Sequence, residues 1–88
     1  MNIVLSGTLQ KFARYQREHS VDAVTVREGI DSLVKNYPEL SRALFDPAGQ
    51  IRRAHMVFLN GNQLSSEQLT AEVGAKDEIE ILTAIAGG

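Results

Sequence analysis

The 88-residue chain contains no cysteine. That single absence excludes disulfides, a thiolate nucleophile and cysteine-ligated metal sites. Its two histidines, His19 and His55, stand far apart, so a zinc site would need carboxylates to complete it, and no ligand spacing suggests one. No stretch approaches the roughly 18 apolar residues of a membrane span, and the first residues lack a signal-peptide pattern. No membrane role is therefore expected, and a cytoplasmic location is the default. Charge of one sign is also missing: the net charge is -2, and only Arg52 and Arg53 are adjacent among the basic residues. That scatter gives no footprint for nucleic acid, so no nucleic-acid partner is expected. Ordinary side-chain catalysis is poorly supplied.

What remains is the composition of a packed globule, 43% hydrophobic and 23% charged. Residues 1–88 make one domain, too short for two cores. Met1 to Ser6 reads as a strand ended by Ser6-Gly7, and Leu9 to Glu18 as a turn or loop leading to a second strand over His19 to Val24. Thr25 with Glu28 three residues on matches a capping box and opens a helix. Val26, Ile30, Leu33, Val34 and Tyr37 share one face of it, while Arg27, Asp31, Ser32 and Lys35 turn outward. Pro38 ends this helix near Tyr37. Leu40, Ala43, Leu44 and Phe45 suggest a short second helical turn, closed by Asp46 to Gly49.

A strand over Ala54 to Leu59 meets Asn60-Gly61, the strongest short hairpin signal, and returns through Gln63-Leu64. A short helical or turn segment spans Gln68 to Val73, and Gly74 releases it. The final strand, Asp77 to Ala84, alternates: Ile79, Ile81, Thr83 and Ile85 lie on one face, Glu78, Glu80, Leu82 and Ala84 on the other. The pattern predicts an α+β roll, a mixed sheet of about four to five strands packed on one main helix. The last strand belongs between the two hairpins. Its end then projects from a rigid base as a slim, flexible tail over residues 85–88.

Ile85, Ala86, Gly87 and Gly88 thereby become the candidate working part. Glycine has no Cβ to clash in a narrow channel and accepts φ values that other residues avoid. An ionised carboxylate is a poor acyl donor, because attack on it must expel an oxide. To serve as an acyl donor it would first have to be activated, and no internal thiolate is present to intercept the activated form.

The helix Thr25-Val26-Arg27-Glu28-Gly29-Ile30, the stretches Tyr37-Pro38-Glu39-Leu40 and Leu44-Phe45-Asp46, Val57 through Gly61, and the close from Asp77 through Gly88 resemble the ubiquitin-like sulfur carriers of the MoaD/ThiS family. The likeness runs from Val21 to the end, and its most specific element is the terminal Gly-Gly after an alternating strand. The stretch from Pro38 to Arg53 is similar to the longer MoaD and CysO-type members. The resemblance implies a β-grasp fold and a carrier rather than an enzyme. It implies no bound cofactor, with ATP consumed by an E1-like adenylating partner of the MoeB/ThiF type. Gly88 would be adenylated, converted by a sulfur donor to a thiocarboxylate, and used by a downstream biosynthetic enzyme making molybdopterin, thiamine, cysteine or a sulfur-containing metabolite. Two alternatives stay open: a protein modifier joined to lysines through Gly88, and a ubiquitin-like binding module whose tail is inert.

Strand parity suggests the docking surface. With Val57 and Leu59 directed inward, Met56 and Phe58 face outward beside Glu80 and Leu82. Met56, Phe58 and Leu82 are the candidate partner-binding residues. The alternative is that Phe58 is covered by the Leu9 to Arg17 loop. His55, which alternates with the inward set, reads as a packing residue. Arg52-Arg53 reads as a solvated strand entry, and Glu78 and Glu80 as a solvated face.

Overall fold

A computed structural model describes residues 1–83. Five strands form one sheet in the order β2-β1-β5-β3-β4: β1 Asn2–Leu5, β2 Glu18–Ser20, β3 His55–Leu59, β4 Asn62–Leu64 and β5 Glu78–Thr83. Two helices, α1 Val26–Lys35 and α2 Pro38–Leu44, cover one face. β1 runs antiparallel to β2 and parallel to β5, while β3 runs antiparallel to both β4 and β5. The last strand therefore lies between the two hairpins, as its alternation predicts.

The inward parity holds along this strand. Ile79 pairs with Ile3 on one side and Leu59 on the other, and Ile81 with Leu5 and Val57. Ile79 and Ile81 are fully buried with Ile3, Leu5, Val26, Ile30, Leu40 and Leu44. Each such side chain contributes about 2 kcal/mol relative to exposure.

α1 begins where the capping residues place it, with the Glu28 N–H donating to Thr25 Oγ1 at 3.2 Å. Val26, Ile30 and Leu33 are buried on its inner face. Arg27 is less free than the helical pattern suggests. Its guanidinium lies 4.6 Å from the Phe45 ring centroid and donates to the Gly49 carbonyl at 3.0 Å, bracing the loop after α2. The expected helical turn near Leu40 is a full helix, because Pro38 occupies its first turn, where a missing N–H costs nothing.

The structure corrects three boundaries. Gly7–Ala13 is a 3-10 helix rather than a loop, and it buries Leu9 and Ala13. The segment before β5 is likewise a 3-10 helix over Ser66–Thr70, its start held by the Ser65 N–H on Gln68 Oε1 at 2.8 Å. β2 ends at Ser20 instead of running to Val24. Beyond Val21, whose N–H still reaches the Met1 carbonyl, the chain turns toward the 3-10 helix side: the Val24 carbonyl accepts from Val73, and Val24 is 61% exposed.

Asn60-Gly61 makes the tight turn, with φ 48° and 87°, the pair of positive values a two-residue hairpin needs.

Candidate functional site

Two features converge on the end of β5: the open sheet face and the residues that fix Thr83. The outward row across the sheet reads Glu18, Val4, Glu80, Phe58, Gln63, and in the next row Met56 stands opposite Leu82. Met56, Phe58 and Leu82 are thus brought together on the face opposite the helices, each half-buried. The Gly7–Ala13 segment does not cover them. Its Leu9 and Ala13 pack into the core with Leu40 and Leu44, on the helix side.

Acids border this apolar group toward β1 and β2. Glu80 pairs with both Phe58 and Val4, and its Oε2 accepts from the Ser6 hydroxyl at 2.7 Å. Val4 faces outward yet is only 6% exposed, enclosed between Glu18 and Glu80. The open face therefore carries an apolar cluster with a carboxylate flank.

His55 is more than a packing residue. Its Nε2 lies 2.7 Å from the Ala43 carbonyl and its Nδ1 3.1 Å from Thr83 Oγ1. A carbonyl only accepts, so Nε2 carries the proton, and in the neutral ring Nδ1 accepts from the Thr83 hydroxyl. One side chain thereby ties the start of β3, the last described residue of β5 and the end of α2. Alternation places His55 inward, but no sequence signal names its two partners.

The other end of β5 is clasped as well. Asn60 Nδ2 donates to Asp77 Oδ1 at 3.0 Å, the Gly74 N–H to Asp77 Oδ2 at 2.7 Å, and the Glu78 N–H to Asn60 Oδ1 at 2.9 Å. The Asn60 bond, then the Gly74 bond, holds the Asp77 carboxyl below its ordinary value of 3.8. β5 is pinned at both ends, so its register and the direction in which it ends are fixed.

Ile85, Ala86, Gly87 and Gly88, the expected tail, lie outside the described residues. Among the described residues no cluster of three His, Cys, Asp or Glu side chains is placed to hold a metal, and no helix is long and apolar enough to cross a membrane.

The helix-backed sheet with a central parallel pair defines a β-grasp, ubiquitin-like fold. The ThiS family model matches residues 3–88, and the chain belongs to the ThiS family. Among solved structures it is similar to SAMP1 from Haloferax volcanii, with 27% identity, a TM-score of 0.86, and 99% of this chain and 97% of that one covered. It is also similar to CysO of Mycobacterium tuberculosis, with 24% identity, a TM-score of 0.81, and 96% and 98% covered. A chain of the Amycolatopsis orientalis BexX/CysO complex shares 24% identity at a TM-score of 0.83, with 99% and 98% covered. The last two likenesses concern the fold. No curated protein matches the chain by sequence.

Proposed function

We propose that this chain is a sulfur carrier whose reactive atom is the carboxyl carbon of Gly88. The observation that carries the reading is the family match extending through residue 88, in a chain whose last described strand is central and pinned at both ends. An E1-like enzyme of the MoeB/ThiF type joins the Gly88 carboxylate to the α-phosphate of ATP and releases pyrophosphate. Sulfide from a sulfur donor then attacks the acyl carbon, AMP leaves with the bonding electrons, and a thiocarboxylate remains for a downstream biosynthetic enzyme. The chain itself presents the carbonyl; the adenylating chemistry belongs to its partner. Ile85, Ala86 and Gly87 make the slim arm, and Met56, Phe58 and Leu82 dock the body of the domain. Each step takes place in the cytoplasm.

The likeness to SAMP1, the small archaeal modifier protein 1, supports a second reading, a modifier joined to lysines through the same carboxylate. Intact mass after incubation with ATP, a MoeB/ThiF-like enzyme and sulfide separates the two. Replacement of oxygen by sulfur adds about 16 Da. Conjugates on target lysines without that gain favour the modifier, and an unchanged mass with no conjugates would leave an inert binding module. Deletion of Gly88 abolishes the gain while barely changing stability, since terminal residues have few contacts to lose.

A further inference from the structure

The fold gathers five cations from three separate stretches of the sequence, Lys11 with Arg14, Arg42, and Arg52-Arg53. Lys11, Arg14 and Arg42 line one groove of about 370 Å³ between the first 3-10 helix and the start of α2. Arg42 and Arg52 line the adjoining hollow beside Phe45, where Arg52 Nε donates to the Arg42 carbonyl at 3.3 Å. Arg52 and Arg53 border a third cavity, of about 110 Å³, beside the start of β3. Neighbouring openings share an arginine, so the cations form one continuous band, and all five residues are exposed.

The band lies at the end of β5. The Ser6 N–H donates to the Ile81 carbonyl at 2.9 Å, so the first 3-10 helix leaves the sheet where β5 finishes. On the other flank His55, next to the Arg52-Arg53 entry, bonds Thr83. The opposite end is mainly acidic: Asp77 precedes β5 and Glu78 opens it, beside Lys76, and Glu72 bridges to Thr25 at the start of α1. A chain of net charge -2 is thus polarised along its sheet, cationic where β5 ends.

Little offsets these cations locally. Among the described residues the ion pair is Arg27 with Asp31, elsewhere on α1. Two carboxylates stand among the five cations, Glu39 in the groove and Asp46 in the hollow, its Oδ1 accepting from the Ala48 and Gln50 N–H groups. The rim is also preorganised. Arg14 and Tyr15 both hold left-handed φ values, 56° and 63°, a conformation costing on the order of 1 kcal/mol for each non-glycine residue. The Tyr15 N–H on the Gln10 carbonyl and buried His19 against the Gln16 carbonyl keep them there.

We propose that this band is a docking collar for an acidic protein surface, the rim of the enzyme site that receives the end of this chain. The proposal rests on the carrier reading for where the collar leads. Charge favours a protein over a nucleic acid. Glu18, Glu78 and Glu80 outnumber Arg17 on the neighbouring sheet face and repel a phosphate backbone, and Tyr15 is a single exposed aromatic at the rim, where tracking of successive bases takes several. Such a collar raises the rate of productive encounter and orients the approach, with the open sheet face supplying the apolar contact.

The test uses the whole chain and a fluorescein-labelled deca-glutamate peptide as probe, read by anisotropy and amide chemical shifts. The expected result is binding that weakens as NaCl rises from about 0.05 M to about 0.3 M, with shifts centred on Lys11, Arg14, Arg42 and Arg53. The triple variant Lys11→Gln, Arg42→Gln, Arg53→Gln loses about ten-fold in affinity. Arg42→Lys with Arg53→Lys, which keeps the charge, retains binding, as does Lys76→Gln at the acidic end. Absence of binding, indifference to the triple variant, shifts centred elsewhere, or tighter binding of a single-stranded oligouridylate of equal length overturns the collar. Thiocarboxylate formation is measured separately. Conversion of Gly88 without deca-glutamate binding removes the collar alone, and binding without conversion by the activating enzyme removes the carrier reading alone.

Discussion

His55 and Thr83 are joined across the β3–β5 pair, ring Nδ1 to hydroxyl at 3.1 Å, while the other ring nitrogen holds the Ala43 carbonyl at 2.7 Å. The contact couples the end of the central strand to the end of α2, so the direction in which β5 finishes depends on a helix separated from it in sequence by β3, β4 and the second 3-10 helix. His55→Phe keeps the ring's bulk and removes both bonds, leaving a half-buried carbonyl without its donor. The expected loss is about 2 kcal/mol of unfolding free energy, read from the midpoint of a urea titration. Stability unchanged within error would mean that water replaces the ring at both positions.

Asp77 predicts an acid limb in the stability profile. Its carboxyl is held below 3.8 by the Asn60 and Gly74 bonds. A depressed folded-state value means that the unfolded chain binds the proton first. The contribution is therefore present above the ordinary carboxylate value and is lost as pH falls through the lower, folded one. Asp77→Asn removes this contribution, so its stability should fall less steeply than that of the parent between about pH 5 and about pH 2. Identical slopes in the two proteins would show that the clasp does not distinguish the charged form.

How far the sequence foretold these contacts depends on their range. β5 was legible because strict alternation of Ile79 and Ile81 with Glu78, Glu80 and Leu82 leaves one packing solution, and Asn60-Gly61 marked its hairpin through backbone sterics alone. The 3-10 helix over Gly7–Ala13 was not legible, since Leu9 and Phe12, one tight turn apart, are too few to establish a period. Sequence alone makes β2 too long, because Val21 and Val24 favour strands locally, while the cap of α1 and the contact from Val73 draw the chain away. The same limit applies to the site. Met56, Phe58 and Leu82 follow from parity along two strands, but Lys11 with Arg14, Arg42, and the Arg52-Arg53 pair are brought to one another only through topology. Charge counted along the chain therefore reads as scatter.

Gly29 stands inside α1, where glycine costs about 1 kcal/mol relative to alanine. A Cβ there would take the place of the Met1 methyl and meet Val21 Cγ2 at 3.4 Å. Alanine can displace the end of the flexible methionine and recover helix propensity, so Gly29→Ala should change stability by less than about 1 kcal/mol. Valine adds two branches against the buried Met1 and should cost about 2 kcal/mol. Thermal denaturation of both variants checks the pair. A valine variant as stable as the alanine one would mean that Met1 leaves its site at little cost.

Phe58 separates docking from folding. It faces away from the helices, opposite Glu80 and diagonal to Leu82, so Phe58→Asp places a charge on the open face while leaving Ile79, Ile81 and Val57 packed. The fold should survive, with stability lowered by about 2 kcal/mol through lost burial of the ring and the like charge opposite Glu80. If this face docks the activating enzyme, a central aromatic contact is worth about 2 kcal/mol, equivalent to about thirty-fold in affinity. Loss of uniform binding appears in KM rather than kcat, so the adenylation reaction should show a raised KM for this chain and a nearly constant kcat. Gln63→Ala, in the same row but beyond the apolar cluster, should leave both constants unchanged. A folded Phe58→Asp variant activated with the parent's KM would exclude the face as the docking surface. A fall in kcat alone would instead place Phe58 in the alignment of the carboxylate after binding.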